Sequence, residues 1–194
     1  MDKKFELDYG SVWIQDNFLD IKDLDKFQDD LSKLEFEYIQ YAYRDNPDKE
    51  FSFGNQFAYL INQSPMESTL ELDKIKSRLL PLLTLEEDLK DCSIARVHLS
   101  KVTHLDQRFF HIDSSEGDVH VAVMFLNNKW KDEWDGDLVM KNKDEEIRIT
   151  PTPGRLVIFN GRIVHRGGII LTPDQDKYTL VCKLCKDESI EKLK

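Results

Sequence analysis

The sequence has only three cysteines among its 194 residues: Cys92, Cys182 and Cys185. A disulfide framework needs a larger and even number of cysteines, so none is expected here. No apolar run approaches the roughly 18 residues of a membrane span. The N-terminus, MDKKFELDYG, lacks the apolar stretch of a signal peptide. No repeat divides the chain, and neither does a linker rich in glycine, serine or proline. These absences predict one domain over 1–194, located in the reducing cytoplasm and without a membrane segment.

An excess of basic residues is also missing. The chain has 27 lysines and arginines against 37 acidic residues, a net charge of −10 and a pI near 5.0. Because binding to a phosphate backbone relies on clustered lysine and arginine, this balance disfavours a nucleic acid as the main partner. The hydrophobic fraction of 40% is ordinary for a globular domain with one core.

Cys182 and Cys185 form a C-x-x-C pair, which can indicate a zinc site or redox chemistry. No second such pair exists, and this one lies in or after a strand-like run rather than at the start of a helix. We therefore favour a structural interpretation of both cysteines.

Helical periodicity is confined to the N-terminal half. Leu24, Phe27, Leu31 and Leu34 recur at helical spacing with charges between them, which predicts a helix with one face in the core. Residues 70–90 repeat this pattern on both sides of Pro81, so we expect two helices with a break there. Between these helices, 38–60 is rich in aromatics around the turn signal Asp45–Asp48, and predicts a hairpin or a flexible loop.

Strand-like runs occupy the C-terminal half. Apolar and β-branched residues predict strands over Val119–Leu126, Arg155–Phe159 and Lys177–Leu184. Turn signals at Pro151–Gly154 and Asn160-Gly161 bound the second run.

His111-Ile112-Asp113 lies just before these strands, and His165 follows the Asn160-Gly161 turn. In an extended segment His111 and Asp113 leave the same face, so both can bind one ion. Two imidazoles and one carboxylate are the ligands of a non-haem Fe(II) centre, which leaves an open face for O₂ and a chelating co-substrate. For any single histidine a structural role is the default, and His120 has no partner of this kind. The trio beside strands favours a metal site.

Five segments carry a family resemblance: FFHIDSS, VAVMFLNNKW, DGDLVM, PGRLVIFNGRIVH and KYTL. In order and spacing they resemble the 2-oxoglutarate- and Fe(II)-dependent oxygenases, particularly the prolyl 4-hydroxylase-like branch. The resemblance covers about 92–186 and extends weakly to VWIQDNFLDIKDLDKFQDDL. It implies a mainly β fold with flanking helices, a double-stranded β-helix (a jelly-roll, cupin-like barrel) over 92–186, buttressed by an N-terminal strand and helices in 1–91.

The resemblance also implies roles for particular residues. His111, Asp113 and His165 match the iron ligands, and Lys177 matches the basic residue that holds the far carboxylate of 2-oxoglutarate, with Thr179 on the same strand face as a second contact. Two departures stand out: Asp135-Gly136-Asp137-Leu138 replaces a Gly-Gly sequence, and the tyrosine of the strand before the His-x-Asp motif has no counterpart, since Arg96, His98, Ser100 and Lys101 occupy that region.

The implied reaction is hydroxylation that consumes O₂ and 2-oxoglutarate and forms succinate and CO₂, with Fe(II) as cofactor and ascorbate as an accessory reductant. The expected substrate is peptidyl proline. Alternatives are a free amino acid or another small molecule, a cupin-like metal-binding or sensor domain without turnover, and nucleic-acid demethylation, which the acidic charge disfavours. Candidate substrate contacts are Arg166, Trp130 and Tyr43, with Tyr41, Arg44 and Phe53 beside Tyr43.

Overall fold

The computed structural model describes residues 1–31, 34, 36–42, 53–60, 72–106 and 108–186, and for 37–42, 53–60 and 72 it describes the backbone alone. The strands are β1 (Lys3–Leu7), β2 (Gly10–Gln15), β3 (Glu37–Ala42), β4 (Phe53–Leu60), β5 (Cys92–Val102), β6 (His120–Phe125), β7 (Leu138–Asn142), β8 (Glu145–Ile149), β9 (Leu156–Asn160), β10 (His165–Gly167) and β11 (Lys177–Lys186). The α-helices are α1 (Ile21–Leu31) and α2 (Leu72–Leu83), and a short 3₁₀ helix spans Asp132–Trp134. Neither described α-helix has the length and apolar character that a membrane span requires.

The strands form two antiparallel sheets. The larger has the order β1-β2-β9-β6-β11-β5-β4-β3, and the smaller has the order β10-β7-β8. The three strand-like runs predicted from the sequence are β6, β9 and β11. This is the mainly β, double-stranded β-helix fold that was expected, although the two sheets are not closed into a single barrel in the part of the chain that the structure describes.

Alternation of side chains along the strands gives the larger sheet two apolar faces. On β6, Ala122 and Met124 join one buried cluster with the apolar residues of α1 and α2. Val121, Val123 and Phe125 point the opposite way, into a second cluster with residues of β7 and β8. The helices therefore cover one face of the sheet, and the smaller sheet faces the other. We call the second face the inner face.

The predicted helical face of α1 is confirmed for Leu24, Phe27 and Leu31, which are all buried. Leu34 lies beyond the end of the helix, where it is half-buried against the same cluster. The helix begins after Asp20, whose carboxylate accepts a hydrogen bond of 2.9 Å from the Asp23 N–H and so caps one of the first free donors.

The predicted break at Pro81 is wrong, because α2 continues through Pro81 to Leu83. Proline removes one backbone donor, but Pro81 lies in the last turn, where the burial of Ile75, Leu79 and Leu83 holds the helix together. The second helix expected over 83–90 does not form. Tight turns replace it, such as the one closed by the Leu89 N–H and Glu86 O over 2.9 Å.

The two described ends of the aromatic segment over 38–60 are strands, since β3 pairs antiparallel with β4 in a register that places Glu37 opposite Ala58, as the hairpin alternative predicted. Tyr43 and Arg44 lie outside the described residues, and so do the side chains of Tyr41 and Phe53.

Cys182 and Cys185 are buried on β11, and neither forms a disulfide. Burial raises the pKa of Cys182 to about 12, which disfavours the reactive thiolate. Neither cysteine belongs to a cluster spaced for a metal ion within the described residues.

Candidate metal centre

The His-x-Asp motif and the distant His165 meet beside the smaller sheet. His111 and His165 form an antiparallel bridge in which each N–H donates to the other residue's carbonyl over 2.9 Å. The Asp113 N–H donates to Gly161 O over 2.9 Å, which fixes the motif to the turn that precedes His165. One ligand atom from each of the three side chains lies within 4.8 Å of the other two, and no other such cluster occurs in the described part of the chain.

Both imidazoles are oriented by backbone carbonyls. Nδ1 of His111 lies 3.0 Å from Phe109 O, and Nδ1 of His165 lies 2.9 Å from Ile163 O. A carbonyl oxygen only accepts, so Nδ1 must carry the proton and Nε2 is left as the lone pair that binds a metal. Burial, together with the neighbouring His165, lowers the pKa of His111 and favours the neutral ligand form.

The carboxylate of Asp113 completes the set. Its Oδ2 lies 3.4 Å from Nε2 of His165. A lone pair that faces a carboxylate oxygen requires a shared cation, either a proton on Nε2 or a metal ion in its place. Burial raises the pKa of Asp113, but the hydrogen bond and charge of His165, with the charge of His111, outweigh it and hold the pKa well below the usual range. An ionised carboxylate and two imidazole nitrogens fit a divalent metal.

The triad opens on a cavity of about 270 Å³ between the two sheets. The strands β5, β6 and β11 supply its inner wall through alternate residues. These are Arg96, His98, Ser100 and Val102 of β5, Val121, Val123 and Phe125 of β6, and Lys177, Thr179, Val181 and Lys183 of β11. The wall is therefore apolar in its middle, with Lys177 at one end and Lys183 beside Arg96 at the other.

Lys177 lies at the first end of β11, with 4% of its surface exposed. Its ammonium donates to Gly136 O, and Thr179 is buried two residues further along the same face. Burial, reinforced by the nearby charge of Arg108, lowers the pKa of Lys177 to about 8. A buried ammonium and a hydroxyl on the wall of a cavity suit a carboxylate, which is the role expected for these residues.

Arg108 is a second cation at this end, and the sequence did not single it out. Its side chain is 11% exposed, lines the cavity and lies 3.1 Å from Asp106. A Cβ added at Gly167 would lie 3.5 Å from Arg108 and 3.7 Å from Lys177 Nζ, so both cations flank this glycine. Its position three residues before His111 could have marked Arg108 as a site residue in the sequence. Its location at the same end of the cavity as Lys177 depends on tertiary structure.

The two departures from the family pattern have structural counterparts. Gly136 has φ of +81°, and a Cβ there would lie 3.0 Å from Trp130 and 3.7 Å from Lys177, so glycine is kept where Lys177 packs. Asp135 occupies the other glycine position with φ of +52° and faces Arg148 over 3.2 Å. No tyrosine replaces the missing one: the inner positions of β5 carry Arg96, His98, Ser100 and Val102.

Neither of the two candidate substrate residues that the structure describes, Arg166 and Trp130, lines the cavity. The Arg166 guanidinium lies over Phe110, 4.8 Å from the ring centroid. The Trp130 Nε1–H donates to Asp135 O over 2.9 Å, and its ring packs edge-on against Trp134. Tyr43 is outside the described residues. Their roles stay predictions.

A double-stranded β-helix with a His-Asp-His cluster beside a cavity between its sheets is the arrangement of the 2-oxoglutarate- and Fe(II)-dependent oxygenases. The family model described as the 2OG-Fe(II) oxygenase superfamily matches residues 95–182, and the chain belongs to this superfamily. It is a 2-oxoglutarate-dependent dioxygenase, and its family implies Fe(II), 2-oxoglutarate and O₂. No curated protein matches the chain.

Solved structures agree on the fold. A Trichoplax adhaerens prolyl hydroxylase in complex with a hypoxia inducible factor peptide fragment superposes with a TM-score of 0.71 at 17% identity, over 94% of this chain and 86% of that one. A Pseudomonas putida prolyl-4-hydroxylase gives 0.62 at 17% identity, over 90% and 92%. The non-heme α-ketoglutarate-dependent epimerase SnoN from nogalamycin biosynthesis gives 0.69 at 11% identity, over 90% and 77%. At these identities the likeness establishes the fold alone.

Proposed function

We propose that this protein is a hydroxylase in which His111, Asp113 and His165 bind Fe(II), and Lys177 with Thr179 binds the far carboxylate of 2-oxoglutarate. The main support for this proposal is the orientation of the triad. Both Nδ1–H groups donate to backbone carbonyls, so both Nε2 lone pairs converge with the Asp113 carboxylate beside the cavity. A metal-binding domain without turnover would not need the buried ammonium of Lys177 on the same cavity wall.

The protein's contribution is to hold and orient the reactants. Lys177 gives the co-substrate one fixed direction in the cavity, and Val121, Val123 and Phe125 provide a dry wall beside the triad. Fe(II) and 2-oxoglutarate, when bound, supply the activation of O₂: one oxygen atom enters a substrate C–H bond as hydroxyl, the other enters succinate, and CO₂ leaves. Ascorbate, as the accessory reductant, remains part of this proposal.

Peptidyl proline is the leading substrate. Two observations support it: the fold spans nearly the whole length of structures named as prolyl hydroxylases, and one of those was solved with a peptide fragment bound. A small molecule is the second candidate, since the epimerase SnoN from nogalamycin biosynthesis superposes about as well.

The metal assignment is tested by metal content. We expect wild-type protein loaded anaerobically to hold one Fe(II) and, once O₂ is admitted, to form succinate and CO₂ from 2-oxoglutarate, and we expect His165→Ala and Asp113→Ala to lose both properties. His104→Ala is the matched control, because it loses one contact of 3.1 Å with Ile170 O outside the triad. Full iron content in His165→Ala, measured alongside a wild-type circular dichroism spectrum, would rule out the proposed ligand set.

The substrate is tested separately. Wild-type protein with Fe(II), 2-oxoglutarate, ascorbate and O₂ is offered proline-containing peptides and free amino acids, and succinate release is compared with a mass gain of about 16 Da in the product. Stimulation by free amino acids but by none of the peptides would exclude peptidyl proline and favour the second candidate.

A further inference from the structure

The end of the cavity remote from Lys177 carries two facing cations. Arg96 and Lys183 are direct cross-strand partners in the antiparallel pair of β5 and β11, and both line the cavity. Like charges placed directly opposite each other destabilise a sheet. The register shifts immediately after this pair, between Lys183 and Leu184, which is the kind of irregularity that re-aims side chains beside functional sites.

No acidic side chain neutralises the pair. Among the residues whose side chains the structure describes, no carboxylate lies within ion-pair distance of Arg96 or Lys183. Lys183 donates to the backbone carbonyl of Asp113 over 2.8 Å, which uses one of its three N–H donors. The Asp113 carboxylate is the acidic group that responds to the Lys183 charge, and it already belongs to the triad. The two cations therefore lack a counter-anion of their own.

His98 adds a third polar group to this end. It lies on the inner face of β5 two residues from Arg96, and its buried Nδ1 has no hydrogen-bond partner. A buried polar nitrogen without a partner is uncommon and costly, and a ligand atom in the cavity would satisfy it. Burial, with the charge of Arg96, lowers the pKa of His98 to about 4, so the ring is neutral and has one N–H to donate.

The co-substrate cannot serve both ends of the cavity. Lys177 and Lys183 are six residues apart on one strand, so their Cα atoms are separated by about 20 Å. A five-carbon diacid anchored at Lys177 is far shorter than this distance. The triad lies between the ends, because Gly167 near Lys177 follows His165, and Lys183 contacts Asp113.

We propose that Arg96, Lys183 and His98 form a second anion-binding subsite, and that the substrate to be hydroxylated carries a carboxylate held there beside the metal. This inference rests on the proposed function and specifies its substrate class. The carboxylate has two sources with the same chemistry: the α-carboxylate of a free amino acid, or the side chain of an aspartate or glutamate next to proline in a peptide.

The test uses the full chain with 2-oxoglutarate and Mn(II) in place of Fe(II) under argon, so that binding is measured without turnover. The probes are the free amino acids against their amides, and capped Asp-Pro and Glu-Pro peptides against their Asn-Pro and Gln-Pro counterparts. Calorimetric titration should show at least one carboxylate probe binding about tenfold or more tightly than its amide. A preference among the free amino acids would assign the subsite to an α-carboxylate, and a preference among the peptides would assign it to an acidic side chain next to proline.

Arg96→Gln and Lys183→Gln should each remove this preference. Lys183→Arg, which keeps the charge, should retain the preference. Lys22→Gln is the charge-matched control that should not change it, because Lys22 is exposed on α1 at the other face of the sheet. Metal content is measured in every variant, because Lys183 contacts Asp113.

The proposal is overturned if the amide probes bind as well as their acids, if Arg96→Gln keeps the preference, or if wild-type protein binds none of the carboxylate probes. An increase in the KM for 2-oxoglutarate in Arg96→Gln as large as that in Lys177→Met would also overturn it, by assigning the pair to the co-substrate. Succinate formation without added substrate is measured in parallel. Its persistence in Arg96→Gln would leave the proposed function intact when the subsite fails, whereas a wild-type protein that binds iron but forms no succinate with or without any probe would refute the proposed function itself.

Discussion

Replacing Lys177 by methionine removes the buried ammonium at the end of the cavity and keeps a side chain of similar length. Burial and the charge of Arg108 lower the pKa of Lys177 to about 8 from 10.5. Holding it charged in the folded protein therefore costs about 3 kcal/mol at neutral pH. The variant also loses the hydrogen bond to Gly136 O, worth about 1 kcal/mol. We expect Lys177→Met to be about 2 kcal/mol more stable than wild type at pH 7.

The same substitution should weaken co-substrate binding. Removing one partner of a buried charge pair costs about 2–5 kcal/mol, so the Kd of 2-oxoglutarate should rise by about 30-fold to several thousandfold. If the protein becomes more stable when the lysine is replaced but binds 2-oxoglutarate less tightly, the lysine is a ligand-binding group rather than a structural one.

Urea unfolding at several pH values checks the stability term. Below pH 8 Lys177 is charged in both the folded and the unfolded state, so the full cost of burying its charge lowers the stability of the folded protein. Between about 8 and 10.5 the folded state releases the proton first, so this group makes wild type more stable as the pH rises, and Lys177→Met should lack that increase. Calorimetry with Mn(II) measures the Kd. A Kd within threefold of wild type would refute the anchor role, and a variant less stable than wild type at pH 7 would refute the burial argument.

Gly154→Ala should lower the free energy of unfolding in urea by at least about 3 kcal/mol, because φ is +71° and the new Cβ would lie 2.1 Å from a backbone oxygen. Gly117→Ala is the control and should unfold like wild type, because its nearest contact would be at 3.5 Å. Arg155→Lys should lose about 1–2 kcal/mol in the same assay, since the two contacts of Arg155 with Asp16, at 2.5 and 3.2 Å, require a guanidinium; equal stability would mean that the pair contributes nothing. The side chain of Asp23 is 5% exposed; burial raises its pKa, but hydrogen bonds from two cations of α2 outweigh this and lower it. The contribution of Asp23 to the free energy of unfolding is therefore present above about pH 3.8 and is lost as the pH falls through the lower pKa of the folded state. Acid titration should show this loss of stability in wild type but not in Asp23→Asn. That variant should start about 1–3 kcal/mol less stable than wild type.

Local patterns identified several of the elements. β-Branched and apolar runs predicted β6, β9 and β11, and the period of α1 predicted its buried face, because propensity and alternation act over a few residues. Pro81 shows where this reasoning fails: its cost is local, but the helix is held by packing against the sheet, which the sequence does not display. Strand parity on β11 placed Lys177 and Thr179 on one face, and the same parity, extended further, would have placed Lys183 there.

The sequence by itself determined which groups are available: a His-x-Asp pair on one face, a later histidine after a turn, and a lysine at the start of a strand. Only the tertiary structure decided how they meet. The mutual backbone bonds of His111 and His165 and the register that opposes Arg96 to Lys183 join segments far apart in the chain. The carbonyls that orient the two imidazoles are only two residues away from them, but the Nε2 atoms reach Asp113 together only because those backbone bonds bring the segments side by side. Side-chain alternation is set by each strand alone, whereas register and neighbour order depend on how the whole sheet buries its two faces.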